Sequence, residues 1–169
     1  LAFINETATL KVDQSSCHKF VAICLGQKAQ LISNPKEQLT LANDISKHIT
    51  RGIELNPNDP MLWYMRGQWK YSISDIPYSV RYAASWITGT ILEATFEDAL
   101  NDFKQANIID GAFYCDNQFM MARTMLKLNG NECTDEILDL LNKGISMNVA
   151  NPSTIILQEK AKKLVSKFS

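Results

Sequence analysis

Three segments of this sequence repeat one helical face. In 44–60 (DISKHITRGIELNPNDP), 97–113 (EDALNDFKQANIIDGAF) and 135–151 (DEILDLLNKGISMNVAN), a core residue is followed by a second core residue and then by a small one. The triplets are Ile45, Ile49, Gly52; Ala99, Phe103, Ala106; and Ile137, Leu141, Gly144. Steps of four and then three keep all three side chains on one side of an α-helix, and a small last residue lets a neighbouring helix approach closely. A face that recurs in this way needs a partner helix in every unit. The chain is therefore predicted to be all-helical and built from stacked helix-turn-helix repeats.

The rest of the chain agrees with that reading. Period-two alternation is absent, whereas apolar residues recur at three and four nearly throughout. Asn34-Pro35, Asp59-Pro60 and Asn151-Pro152 each join a side-chain oxygen that can cap orphan amides to a proline that has no amide to leave unpaired, so each marks a helix start. Thr95 before FEDAL and Thr134 before DEILDLL mark two more, with acids in the first turn suiting the positive end of the helix dipole. About seven or eight helices are expected in all, with boundaries good to a few residues.

Each repeated face should pair with an upstream first helix that carries its own small contact residue. The candidates are FVAICLGQ with Gly26, LWYMRGQWKY with Trp63 and Gly67, and NQFMMARTML with Ala122. Trp63, Gly67 and Tyr71, followed by Ala99, Phe103 and Ala106, resemble the tetratricopeptide consensus. The intervals from Gly52 to Ala106 and on to Gly144 exceed the usual period of about 34 residues, most of all in the first step. The excess lies at 75–94. Pro77 restarts a helix there; Val80, Ala83, Ala84, Ile87 and Ile91 make one apolar stripe and Tyr78, Tyr82 and Trp86 a second, leaving Arg81, Ser85 and Thr88 for water, and Gly89 is the stop. This helix is predicted to be buried. The fold expected is a short α-solenoid forming one domain over 1–169. Repeat 1 spans about 15–57, repeat 2 about 60–111 with the insert at 75–94, repeat 3 about 113–148, and a capping helix 152–168.

Charge and cysteine content narrow the function. The balance of 17 basic against 18 acidic residues offers no overall field for nucleic acid. Cys17, Cys24, Cys115 and Cys133 include no C-x-x-C pair, so reduced thiols in the cytoplasm are expected, with no metal and no cofactor. No apolar run approaches the roughly 18 residues of a membrane span. The start on Leu1 rather than methionine leads us to expect a piece of a longer protein.

The strings NPNDPMLWYMRGQWKYSISDI and RYAASWITGTILEATFEDALNDFKQANIID carry Gly67-Gln68-Trp69 late in a first helix and Ala94-Thr95 to Ala99-Leu100 at the opening of a second. Together with CHKFVAICLGQKA and HITRGIELNPNDP they resemble the regulator of microtubule dynamics family over most of the chain. The resemblance implies a microtubule-associated interaction domain. It further implies action in microtubule dynamics and in spindle organisation or chromosome segregation, and a cytoplasmic, cytoskeletal location. Phospholipid is the second class of partner it implies.

Candidate site residues fall in two groups. Arg66 and Lys70, and Arg123 and Lys127, are spaced to project from single helix faces. On first helices they would line the concave side and, with Arg81, meet an acidic partner such as the tails of tubulin; the other reading is solvated charge. Trp63, Trp69, Tyr78, Tyr82 and Trp86 either fill the gap beside the insert or wall an apolar slot for a lipid tail or a peptide. Asp44, Glu97, Asp98 and Asp102 are expected at helix starts or on solvent faces, and His18 and His48 in structural or surface positions. No acid–base pair, nucleophile motif or phosphate loop is present, so a non-enzymatic role is expected.

Overall fold

A computed structural model describes residues 2–89, 92–111, 115–147 and 152–168. The described residues form eight helices: α1 (Ala2–Leu31), α2 (Pro35–Leu55), α3 (Pro60–Ser74), α4 (Tyr78–Thr88), α5 (Phe96–Ile109), α6 (Cys115–Leu128), α7 (Asp135–Ser146) and α8 (Pro152–Phe168). Several starts are fixed by the caps that the sequence offers. Asp59 accepts from the Met61 amide at 2.9 Å and Thr95 from the Asp98 amide at 3.0 Å. Thr134 accepts from Ile137 at 3.4 Å. Gly89 ends α4 in the left-handed region at φ 74°, where a side chain would be strained. The Asn151 cap, Ile91 and Phe113 lie outside the described residues, as do the side chains of Ala84, Ile87 and Thr88.

Helices neighbouring in sequence pack on one another, except that α3 pairs with α5 past α4. The repeated faces supply the core. Ala99, Phe103, Ala106, Ile137 and Leu141 are buried with Tyr64, Tyr71, Met121 and Ala122 in the largest cluster, while Ile49, Ile53, Leu62 and Ala22 form a second between α1, α2 and α3. The small residues do sit at close contacts. A Cβ on Gly67 would stand 2.6 Å from the Phe103 ring, and one on Gly52 would stand 2.9 Å from Leu62. At Gly144 the neighbour is α6, through the Cys115 carbonyl and Gln118. Gly26 departs from the expectation, since nothing stands within 4 Å of a Cβ there.

The last turn of α7 is closed by α8. The Gln158 amide donates to the carbonyls of Gly144, Ile145 and Met147, which satisfies acceptors that a helix end leaves open. Ala161 is buried and Leu164, Val165 and Phe168 pack on the main core.

The insert needs a correction. It forms a helix, α4, but it is not buried: Tyr78, Val80, Tyr82 and Trp86 are all exposed, Trp86 by 80%. Two of the residues expected to face water are turned inward. Arg81 and Ser85 are half-buried, and Arg81 Nη1 donates to the carbonyls of Leu92 and Ala94 at 3.2 and 3.4 Å. The physical reason is that apolar pattern states a preference and burial requires a neighbour. Helix α4 rests on α2, and the guanidinium finds acceptors in the 92–94 segment that its apolar stripes cannot use.

Candidate functional site

A groove of about 780 Å³ opens between α1, α2, α3 and α6. Its walls are apolar where core stripes reach the surface: Ile45 and Ile49 from α2, Met65 and Trp69 from α3, and Met120 from α6. Trp69 is held in place by its indole N–H, which donates to the Ala42 carbonyl at 2.8 Å. Gln68 and Ser72 stand at the mouth on the exposed side of α3. Tyr71 and Arg123 form one wall, with the guanidinium 5.2 Å from the ring centroid. The Tyr71 hydroxyl is buried and has no hydrogen-bond partner among the described residues. A buried hydroxyl left in that state costs about 1–3 kcal/mol, so a group that accepts from it gains by the same order.

The basic pairs do not stand free on this surface. Arg66 and Lys70 both bind Asp102, which is buried in α5. Arg66 Nε and Nη2 span the two carboxylate oxygens at 2.9 and 2.7 Å, and Lys70 Nζ reaches Oδ2 at 2.8 Å. Asp102 is 3% exposed, so the expectation of a solvent-face acid is corrected, and so is that of two cations waiting for a partner. Removing a carboxylate from water is costly, and two cations with bidentate geometry offset that cost. A signal was available: position 102 lies among Ala99, Phe103 and Ala106 on the packed face, opposite an i, i+4 cation pair.

Arg81 is committed to the carbonyls of the 92–94 segment, and Lys127 pairs with Asp75 across the surface at 2.8 Å. Of the five, Arg123 is the one that lines the groove.

The aromatic residues divide. Trp69 enters the groove; Trp63 donates to the Pro57 carbonyl at 2.8 Å and lies under the Arg66 guanidinium at 4.4 Å. Tyr78 and Tyr82 stack at 6.3 Å on the outer side of α4, with Trp86 beyond them. The described side chains of α4 do not line the groove, so the five rings do not meet in one slot.

Sequence reasoning also missed that the two histidines meet. His18 Nδ1 and His48 Nδ1 are 2.8 Å apart, joining α1 to α2. One nitrogen must donate and the other accept, so the contact tolerates at most one charge. Burial first, then the nearby His48 and Arg51 charges, hold His18 below its ordinary value of 6.5. The folded state thus binds fewer protons than the unfolded chain once pH falls below 6.5, and stability declines with acidification in that window. Thermal melts between pH 7.5 and 5.5 should show a falling midpoint in the native chain and a flatter profile in His18→Gln. Parallel profiles would assign the acid sensitivity elsewhere.

Among the described residues no three His, Cys, Asp or Glu side chains converge on a metal position, and no helix is long and apolar enough to cross a membrane. The described residues define an all-α protein with an open groove of mixed apolar and polar lining. The family model described as regulator of microtubule dynamics protein 1-3 matches residues 1–169, and the chain belongs to that family. Among curated relatives, it is similar to the regulator of microtubule dynamics protein 1 of Bos taurus, 33% identical over 73% of this chain and 39% of that protein. The Mus musculus protein 1 is 31% identical over 78% of this chain and 43% of its own length. The Bos taurus protein 2 is 23% identical over 98% of this chain and 39% of its length. The chain spans about two fifths of the length of these relatives.

Proposed function

We propose that this chain is a non-enzymatic helical-repeat interaction domain of a microtubule regulator, acting at microtubules in the cytoplasm and in spindle organisation. Three tetratricopeptide-like units, 15–57, 60–111 with its insert and 113–148, present α1, α3 and α6 as first helices, and α8 closes the end. The observation that carries the reading is the groove itself. It is open, apolar along its floor, and bordered by Arg123, by the unpartnered Tyr71 hydroxyl and by Asp75, whose carboxylate is paired with Lys127; this suits an extended or helical protein segment whose acidic group meets Arg123 and Tyr71. An acidic tail of tubulin has that chemistry, and membership of a family described as regulators of microtubule dynamics supports a microtubule-related partner.

The test is co-sedimentation with stabilised microtubules, intact and stripped of their acidic tails, over a salt series. Gln68→Trp and Ser72→Trp place rings in the groove mouth from exposed positions, so the fold is kept while the site is filled. Each should weaken binding at least about tenfold, equivalent to ~1.4 kcal/mol. Unchanged binding by both variants would remove the groove from the reading.

Phospholipid is a second reading, favoured by the exposed Tyr78, Tyr82 and Trp86. On this reading the rings meet a bilayer surface and do not wall a cavity, since amphipathic aromatics settle at the headgroup level. Flotation with anionic liposomes should then be lost in Tyr78→Ser/Trp86→Ser and kept in Ser72→Trp. The opposite pattern would move the lipid into the groove.

A further inference from the structure

Over residues 13–31, helix α1 packs on α2 with one side and leaves the other uncovered. Ser15 Oγ donates to the Gly52 carbonyl at 2.8 Å, His18 meets His48, and Ala22 is buried, which defines the inner side. On the outer side Phe20 is 62% exposed and Leu31 86% exposed, and Cys17 and Cys24 are free and exposed. Asp13 and Lys28 are exposed as well. The steps 13, 17, 20, 24, 28 and 31 are all threes and fours, so these six residues form one stripe along the helix. Residues spaced in this way lie along one line at which a second helix can pack.

The order of residues in the stripe carries more than its apolarity. Reflected about the point between Phe20 and Val21, four of the six exchange among themselves, Asp13 with Lys28 and Cys17 with Cys24, while Phe20 falls opposite Val21, 39% exposed beside the stripe. A two-fold axis at that point would form each of these pairs twice. Run antiparallel, two copies set opposite charges together at both ends and thiol against thiol further in. Run parallel, they would set Asp13 against Asp13 and Lys28 against Lys28. A partner of another sequence has no need of this self-complementary order, whereas a second copy does. The present partner of Lys28 is Glu37 at 3.6 Å, both half-exposed, a surface pair that exchanges at little cost.

We infer that the outer face of α1 is an interface at which a second copy of this chain binds antiparallel, about a two-fold axis between Phe20 and Val21. The inference is independent of what the groove binds.

Analytical ultracentrifugation of the 169-residue chain over a wide range of concentration tests the association. A concentration-dependent dimer is expected for the native chain and a monomer for Phe20→Glu, whose exposed site leaves the helical circular dichroism unchanged. Register is read by oxidation with diamide in a Cys115→Ser/Cys133→Ser background, where two thiols give two electrons and two protons to the diazene and join as a disulfide. In the antiparallel register the two Cys17 positions are offset by about 10 Å along the axis, from seven residues at 1.5 Å each. A disulfide needs Cβ atoms within about 4.5 Å, so neither Cys17→Ser nor Cys24→Ser should cross-link with itself. A mixture of the two should. A native chain that stays monomeric, a Phe20→Glu dimer of unchanged affinity, or self-cross-linking of the single-cysteine variants would each overturn the proposal.

Discussion

Asp102→Ala is expected to lower the unfolding free energy by about 3 kcal/mol, the lower part of the range for removing one member of a buried ion pair. The carboxylate is 3% exposed and receives three short bonds from Arg66 and Lys70. Without it, two cations on adjacent turns of α3 face each other and a packed α5, and their 23% and 21% side-chain exposure lets water compensate only in part. Asp102→Asn should cost less because an amide oxygen still accepts from the guanidinium. Lys127→Ala removes a pair whose members are both well exposed and should leave the urea midpoint close to that of the native chain. Urea titrations decide it: a lower midpoint with an unchanged slope is a stability change. A loss for Asp102→Ala no larger than for Lys127→Ala would show that the cluster is screened like a surface pair. The same geometry bears on function. Reversing the charge of Arg66 and Lys70 would remove binding by damaging the fold, so the informative groove variants are at Gln68, Ser72 and Arg123.

Gly67→Val is expected to cost about 3 kcal/mol, the upper end for overpacking a close-packed core. The first atom added would already lie 2.6 to 3.0 Å from three carbons of the Phe103 ring. Phe103 is fully buried, with its centroid 5.9 Å from that of Tyr64, so the ring has nowhere to swing and α3 must back away from α5. Gly67→Ala carries the same contact in smaller form and should destabilise despite the better helix propensity of alanine. Gly26→Ala meets nothing within 4 Å and should raise stability by up to about 1 kcal/mol, the propensity difference itself. Thermal melts of the three variants give the comparison. If Gly67→Ala and Gly26→Ala shift the midpoint in the same direction, close approach is not what position 67 requires.

These two glycines mark how far local pattern reaches. Both stand where the sequence pattern predicts a small residue in a first helix, and their sequence contexts do not separate them. Gly67 meets Phe103 from a helix 36 positions further along the chain, while Gly26 looks into the groove. Helix starts were legible for a different reason. An Asp or Thr cap, a proline at the first position and acids in the first turn act within a few residues, so Asp59, Thr95 and Thr134 could be assigned from the string alone. The repeated faces were legible too, because steps of three and four place Ala99, Phe103 and Ala106 together in any α-helix.

Charges and rings behaved otherwise. Arg66, Lys70 and Asp102 each look like surface residues when taken singly. They come together because α3 and α5 pack past α4, and a carboxylate that is costly alone becomes tolerable between two cations. The rings of α4 have every local mark of a core helix and are exposed, because burial depends on which neighbour a helix meets. The sequence by itself thus determined the helices, their caps and which residues share a face, since those are set by interactions within a turn or two. Tertiary structure alone decided which charges were neutralised, which rings faced water and where the groove opened, since those depend on contacts between residues tens of positions apart.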